Sequence, residues 1–104
     1  MTKEALLVEL KAKPGKEEEL ARFLTGAQQL AIAEPATTAW FAIRLDTQTF
    51  AIFDAFPNEA GRQEHLNGPI ANALKANADR LLVQPPQIRK ANVLADKLPL
   101  RGTG

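Results

Sequence analysis

The chain has no cysteine, no tyrosine and only one histidine, His65. Without a thiol there is no disulfide framework, no cysteine nucleophile, no thiolate metal site and no iron–sulfur cluster. Without tyrosine there is no phenolic acid. A single histidine excludes the multi-histidine zinc arrangements within one subunit, and no metal is expected. Charge of one sign is lacking too. Thirteen basic and twelve acidic residues leave a formal charge of +1 with no Lys/Arg cluster, so no nucleic-acid partner is expected. The apolar opening "ALLVEL" is short and carries a glutamate, which fits neither a signal peptide nor a membrane span, and the chain reads as cytoplasmic. No stretch matches a phosphate-cradling glycine pattern: "KPGKEEE" has a Gly-Lys pair but neither the upstream glycine nor the following Ser/Thr. Any chemistry must run on one His, carboxylates, amides, Arg and Lys, or on something bound.

What is present is the profile of one globular domain: 104 residues, 45% apolar and 24% charged. "ALLVELKAK" (5–13) alternates, with Leu6, Val8, Leu10 and Ala12 on one face of a strand. Pro14-Gly15 turns the chain. Residues 16–33 place Leu20, Phe23, Leu24, Ala27 and Ala31 at helical spacing, and Glu17-Glu18-Glu19 fall in the first turn, where the helix dipole favours negative charge. "TTAWFAIRL" (37–45) alternates again and, across the short link "DTQT", joins "FAIFDAF" (50–56) as a hairpin. Asn58 is an expected N-cap for a second helix, interrupted at Gly68-Pro69 and resuming with Ile70, Leu74, Ala78 and Leu81. "QIRKANVLA" (87–95) gives a last strand, and 96–104 form a patternless tail.

The resulting order, β-α-β-β-α-β, predicts an α+β, ferredoxin-like domain over 1–104: an antiparallel sheet with two helices on one face and the other face open. In the second strand Ala39, Phe41, Ile43 and Leu45 form the more apolar face. Trp40 lies on the opposite side, where it wants cover, and an open apolar sheet face is closed by another subunit or a ligand. An RNA-recognition motif has the same order. That motif needs stacked aromatics on neighbouring strands, whereas Phe50 and Phe53 point to opposite faces and the first strand has no aromatic residue.

The stretches "KPGKEEEL", "FAIRLD", "FAIFDAF" and "EHLNGPIANAL" resemble, in order and approximate spacing, the antibiotic biosynthesis monooxygenase-like family over about residues 5–95. The resemblance implies a dimeric α+β barrel: a homodimer packed through the open sheet faces, with a cavity between helices and sheet in each subunit. It also implies a cofactor-independent monooxygenase acting on a small phenol or quinol. The alternatives are a non-catalytic dimer that binds a small aromatic or apolar ligand or serves an interaction role, and an isomerase on the same barrel. Haem-degrading members carry a His further along helix two, an Asn on strand one and a helix-two Trp. The corresponding positions here are near Lys75, Val8 or Glu9, and His65, so the haem ligand is missing.

The candidate catalytic residues are His65 and Asp54. His65 alone exchanges protons near neutral pH without perturbation; it either takes a proton from a bound phenol or bonds across the helix break or to a partner subunit. Asp54, in an otherwise apolar strand, must if buried either be protonated or pair, with Arg44 or His65 as the partner. Trp40, Phe41 and Phe53, with Arg44, are the candidate substrate-binding residues, set against their alternative place in core or dimer interface.

Overall fold

The structure, a computed structural model, describes residues 2–99. The elements run β1 (Glu4–Lys11), α1 (Glu17–Ile32), β2 (Ala39–Arg44), β3 (Thr49–Phe56), α2 (Glu59–Leu66), α3 (Pro69–Leu81) and β4 (Gln87–Asn92). The four strands form one antiparallel sheet in the order β2-β3-β1-β4, which is the ferredoxin-like arrangement. The strands expected over 37–45 and 87–95 are shorter at their ends. Residues 93–99 carry no strand or helix, and the rest of the expected tail, 100–104, lies outside the described residues.

Local chemistry sets the joints. Gly15 takes φ +86°, the left-handed conformation that a Pro-Gly turn needs and a Cβ disfavours. Its N–H donates to Glu17 Oε1 across 2.9 Å. In the β2–β3 hairpin Asp46 Oδ1 accepts from the N–H groups of Gln48 (3.0 Å) and Thr49 (2.8 Å). Those bonds, with that of the Thr49 side chain first, hold its carboxyl below the usual range. Asn58 caps α2 by accepting from Gly61 N–H at 2.8 Å. The second helix is in fact two: Gly68, extended, is the N-cap of α3, and Pro69 sits in its first turn, where a missing N–H costs nothing.

Cross-strand register decides the faces. Opposite residues of an antiparallel pair share a side, so Leu6, Asp54 and Trp40 stand in one row, Val8, Ile52 and Ala42 in the next, then Leu10, Phe50 and Arg44. Helices cover this side: Leu20 and Leu24 of α1 and Leu74 and Leu81 of α3 pack on Val8, Leu10, Phe50 and Ile52. Fully burying a Leu or Phe contributes roughly 1.5–3 kcal/mol relative to exposure. The other side carries the row Leu7, Phe53 and Phe41, with Ile43 beside it. Leu7, Phe41 and Ile43 stay 40%, 53% and 44% exposed. The open apolar face expected of this fold is there, but the facing of β2 is corrected. Trp40 turns inward and is covered by both buried clusters, while the more apolar Phe41 face looks outward.

Candidate active site

Asp54 is forced into the interior by its place in β3. Between inward-facing Ile52 and Phe56 it cannot turn out without flipping the whole strand, and it is completely buried. An ionised carboxylate there needs a partner. Cap and periodicity supply one: with Asn58 fixing the start of α2, Gly61, Arg62 and His65 fall on the face turned to the sheet. His65 Nε2 lies 2.9 Å from Asp54 Oδ2. The distance is that of a hydrogen bond but the angle falls short of one, so opposite charge carries much of this contact. On the other side of the ring, Nδ1 lies 2.7 Å from Glu34 Oε1. Glu34 belongs to the segment leaving α1 and is itself held by the Thr37 hydroxyl, which donates to Oε1 at 2.8 Å. The Phe56 ring stands 5.3 Å from the imidazole, centroid to centroid, tilted by 43°.

His65 is therefore the centre of a carboxylate–imidazole–carboxylate chain. Burial is the largest single influence on the ring and works to lower its pKa. The nearby carboxylate of Asp54, then that of Glu34, together outweigh it and raise the pKa above the usual value near 6.5. With the ring protonated, both N–H groups face carboxylates. Among the described residues, both Asp54 carboxylate oxygens and Glu34 Oε2 are buried without a hydrogen-bond partner, as is the indole N–H of Trp40.

The chain runs from the interior to the surface. Asp54 is its buried end, and Glu34 and His65 border a half-open hollow of about 270 Å³. Its walls are largely apolar, built from Leu30, Ala33, Pro35, Ala36 and Pro69. Glycines make room for it. A Cβ on Gly61 would come within 3.3 Å of Ala36, and one on Gly68 within 3.5 Å of Glu34 Oε2. Among the described residues no group of three or more His, Asp or Glu is arranged to hold a metal ion. No helix among them is long and apolar enough to cross a membrane.

No protein-family model matches the chain, and no curated protein sequence does. Solved structures do. A protein of unknown function from Nitrosomonas europaea is 59% identical, with 97% of this chain and 98% of that one covered at a TM-score of 0.95. A proposed antibiotic biosynthesis monooxygenase from the same organism is 14% identical over 88% of this chain and 90% of that one, with a TM-score of 0.79. Another, from Caulobacter crescentus, is 14% identical over 90% and 92%, with a TM-score of 0.77. The chain shares its fold with these two proposed monooxygenases. At 14% identity the likeness is one of fold, and it leaves the activity to be argued from the site.

Within this ferredoxin-like fold the expected site residues separate. His65 and Asp54 come together; Trp40 stands beside Asp54 in the neighbouring strand. Arg44, expected as a partner for Asp54, is instead at the hairpin end of β2. It pairs with Glu18 at 2.8 Å and stacks over Phe50, with the Ala42–Ile52 row between it and the acid's own. Phe41 and Phe53, expected to wall a pocket with Trp40, project from the opposite face of the sheet, because neighbours along a strand alternate sides. The hollow is also displaced from the cavity expected between helices and sheet. That space holds Trp40, Leu20, Leu24 and Leu74, and the hollow lies instead at the ends of α1 and α2. Two charged residues were not foreseen. Glu34 completes the chain through His65, and buried Arg62 ties α2 to the sheet by donating to the carbonyls of Ala5 (3.2 Å) and Ala91 (3.0 Å) and pairing with Glu4 and Glu59.

Proposed function

We propose that the chain is a cofactor-independent monooxygenase acting on a small phenol or quinol in the hollow beside His65. The observation that carries this proposal is His65 held between Asp54 and Glu34 at the wall of an apolar hollow. Such a chain accepts a phenolic proton at the hollow and balances the charge inward, and the phenolate left behind is electron-rich enough to react with oxygen. With hydroquinone as the probe the balance closes: hydroquinone and one O₂ give hydroxybenzoquinone and one water, the substrate supplying all four electrons. Trp40 packs beside Asp54 and excludes water from the buried end. The fold likeness to proposed antibiotic biosynthesis monooxygenases supports the choice of oxygen chemistry.

The same proposal includes a homodimer closed through the row Leu7, Phe53 and Phe41. Glu9 and Lys11 of β1 and Arg89 of β4 flank that row on its own face, so both signs of charge are available to meet a second copy.

The test is oxygen uptake with hydroquinone, using protein stripped of metal and flavin. The expected outcome is uptake that falls by at least about 100-fold in His65→Ala, the usual scale for losing a general acid–base group. Full activity in that variant sinks the proposal, and anaerobic consumption of the substrate points to an isomerase instead. One observation favours a non-catalytic role: both ring nitrogens already face carboxylates, which suits a buried ionic clasp. In that case no substrate turns over, and His65→Ala changes stability alone.

A further inference from the structure

We infer that Glu34 is a displaceable gate on His65: when the ring gives up one proton, Asp54 keeps Nε2–H, Glu34 leaves Nδ1, and residues 33–37 swing out to open that nitrogen to the hollow. This deepens the oxygenase proposal by naming Nδ1 as the base. It rests on that proposal only for the identity of the proton donor.

Two carboxylates share one imidazole, and they are not equally free to move. The charged ring has an N–H for each: Nδ1 stands 2.7 Å from Glu34 Oε1 and Nε2 2.9 Å from Asp54 Oδ2. A neutral ring has one N–H and one lone pair. Whichever carboxylate meets the lone pair must leave or take up a proton. Asp54 cannot leave, because β3 fixes it and it is completely buried. Without the N–H it would be an unpaired ion in the interior, the costlier outcome by far. Glu34 ends the chain at the surface, with 16% of its side chain exposed, and a short movement brings it to water. Its Oε2 has no hydrogen-bond partner among the described residues, so moving out gains one. The neutral ring therefore keeps its proton on Nε2 and turns its lone pair on Glu34.

The segment that carries Glu34 is built to yield. Residues 33–37 form neither helix nor strand. One end is tied to α1, where the Glu34 N–H donates to the Ala31 carbonyl at 3.1 Å. The other is tied to β3, where Thr38 donates its N–H (2.8 Å) and hydroxyl (3.0 Å) to the Ala55 carbonyl. Among the described residues, this strap's only hydrogen bond to α2 is that between Glu34 and His65. The Thr37 hydroxyl bonds back to Glu34 and moves with it. Ala36 also meets Gly61, a small apolar contact. The strap is a partition as well: Glu34, Pro35 and Thr37 line the hollow on one side and an open groove on the other. That groove is the space into which it moves.

The surrounding charges favour the same direction. On the hollow's side Glu64 of α2 repels Glu34, while α1 and α3 contribute Leu30 and Pro69 to the wall. Arg62 is held by Glu4 of β1 and by Glu59. The groove carries Lys3, with Glu4 and Asp96, so a released Glu34 moves toward a cation. Burial works against the charged ring, but the two carboxylates outweigh it, so the gate is closed below the raised pKa and released above it. A phenol entering after release loses its O–H proton to Nδ1, leaving a phenolate beside an imidazolium.

The chain has one histidine, so every imidazole signal belongs to His65. Nitrogen-15 NMR of the native chain, taken through the imidazole midpoint without substrate, is expected to find the neutral ring protonated on Nε2. The nuclear Overhauser contact between the Ala36 methyl and the Gly61 α-protons reads the strap. It is expected to fall about tenfold by about one pH unit above the midpoint, in step with a two-state population. In Glu34→Gln the amide can accept from Nδ1–H and donate to a bare Nδ1. There the strap is expected to stay closed, the contact to persist at every pH and the imidazole midpoint to move down. A neutral ring protonated on Nδ1, with the second proton on Asp54, overturns the inference. So does a native contact that ignores the titration, or one that Glu34→Gln loses as the native chain does. If Glu34→Gln fails to fold, the native chain decides alone. A gate that opens in a chain that never takes up oxygen with hydroquinone sinks the oxygenase and leaves the inference standing. Oxygen uptake by a chain whose neutral ring is protonated on Nδ1 does the reverse.

Discussion

A lone histidine acquires its chemistry from what lies on either side of it. His65 is buried, which disfavours the charged ring, yet two carboxylates more than restore it. Because its folded pKa stands above the unfolded value near 6.5, its contribution to stability is fully present below about pH 6.5 and is lost as pH rises through the raised folded value. The stability difference between the native chain and His65→Ala should therefore shrink toward alkaline pH, as denaturant melts across that range would record. At about pH 6 removing the imidazole leaves Asp54 and Glu34 without a counter-charge, at a cost of roughly 3–5 kcal/mol. A difference that grows with pH would show that the ring is not held as a cation. Asp54 and His65 could both be found in the sequence, one as an acid interrupting an apolar strand and the other as the sole imidazole. Glu34 could not, because "EP" reads as punctuation at a helix end. A physical signal was nevertheless present. A carboxylate just past a helix C-terminus opposes the helix dipole and needs a partner elsewhere.

At the scale of elements, the site is made by the close approach of the segment after α1 to the start of α2. Gly61 permits it: the Cβ of an alanine there would stand 3.3 Å from both the Ala36 Cβ and the Ala36 carbonyl oxygen. Gly61→Ala is expected to push residues 33–37 outward, loosen the Glu34 contact and cost about 1–3 kcal/mol as overpacking does. The signature is a His65 titration shifted down toward that of a ring with one carboxylate, and an unchanged titration would disconnect the two segments. Asn58→Ala should cost about 1 kcal/mol in thermal melts, the usual worth of a side-chain cap, because Gly61 N–H then loses its acceptor. Element order, the helix break and the cap were legible because they follow from local periodicity and turn chemistry. The inward side of β2 was not. Both its faces carry apolar residues, and only its pairing with β3, Trp40 opposite Asp54 and Phe41 opposite Phe53, decides which one meets the helices.

At the scale of the whole molecule, that reversal gives the proposed dimer its contact. Turning Trp40 into the core leaves Phe41 in line with Phe53 and Leu7 on the uncovered face, a continuous apolar row across three strands. Apolar side chains grouped on an open face mark surfaces that another molecule covers. Phe41 is the most exposed of the row and stands on β2, an edge strand of the sheet, within reach of a facing copy. A buried aromatic at such a contact is worth about 2 kcal/mol or more, so Phe41→Asp should weaken self-association by at least about 30-fold. Sedimentation across a concentration series reads this directly. The His65 titration should not change in the same variant, because Phe41 lies on the far side of the sheet from the imidazole. A native chain that sediments as a monomer at micromolar concentration would remove the dimer. A variant that loses both dimer and titration would mean that the open face and the site fold as one unit, with the second copy required to hold Asp54 in place.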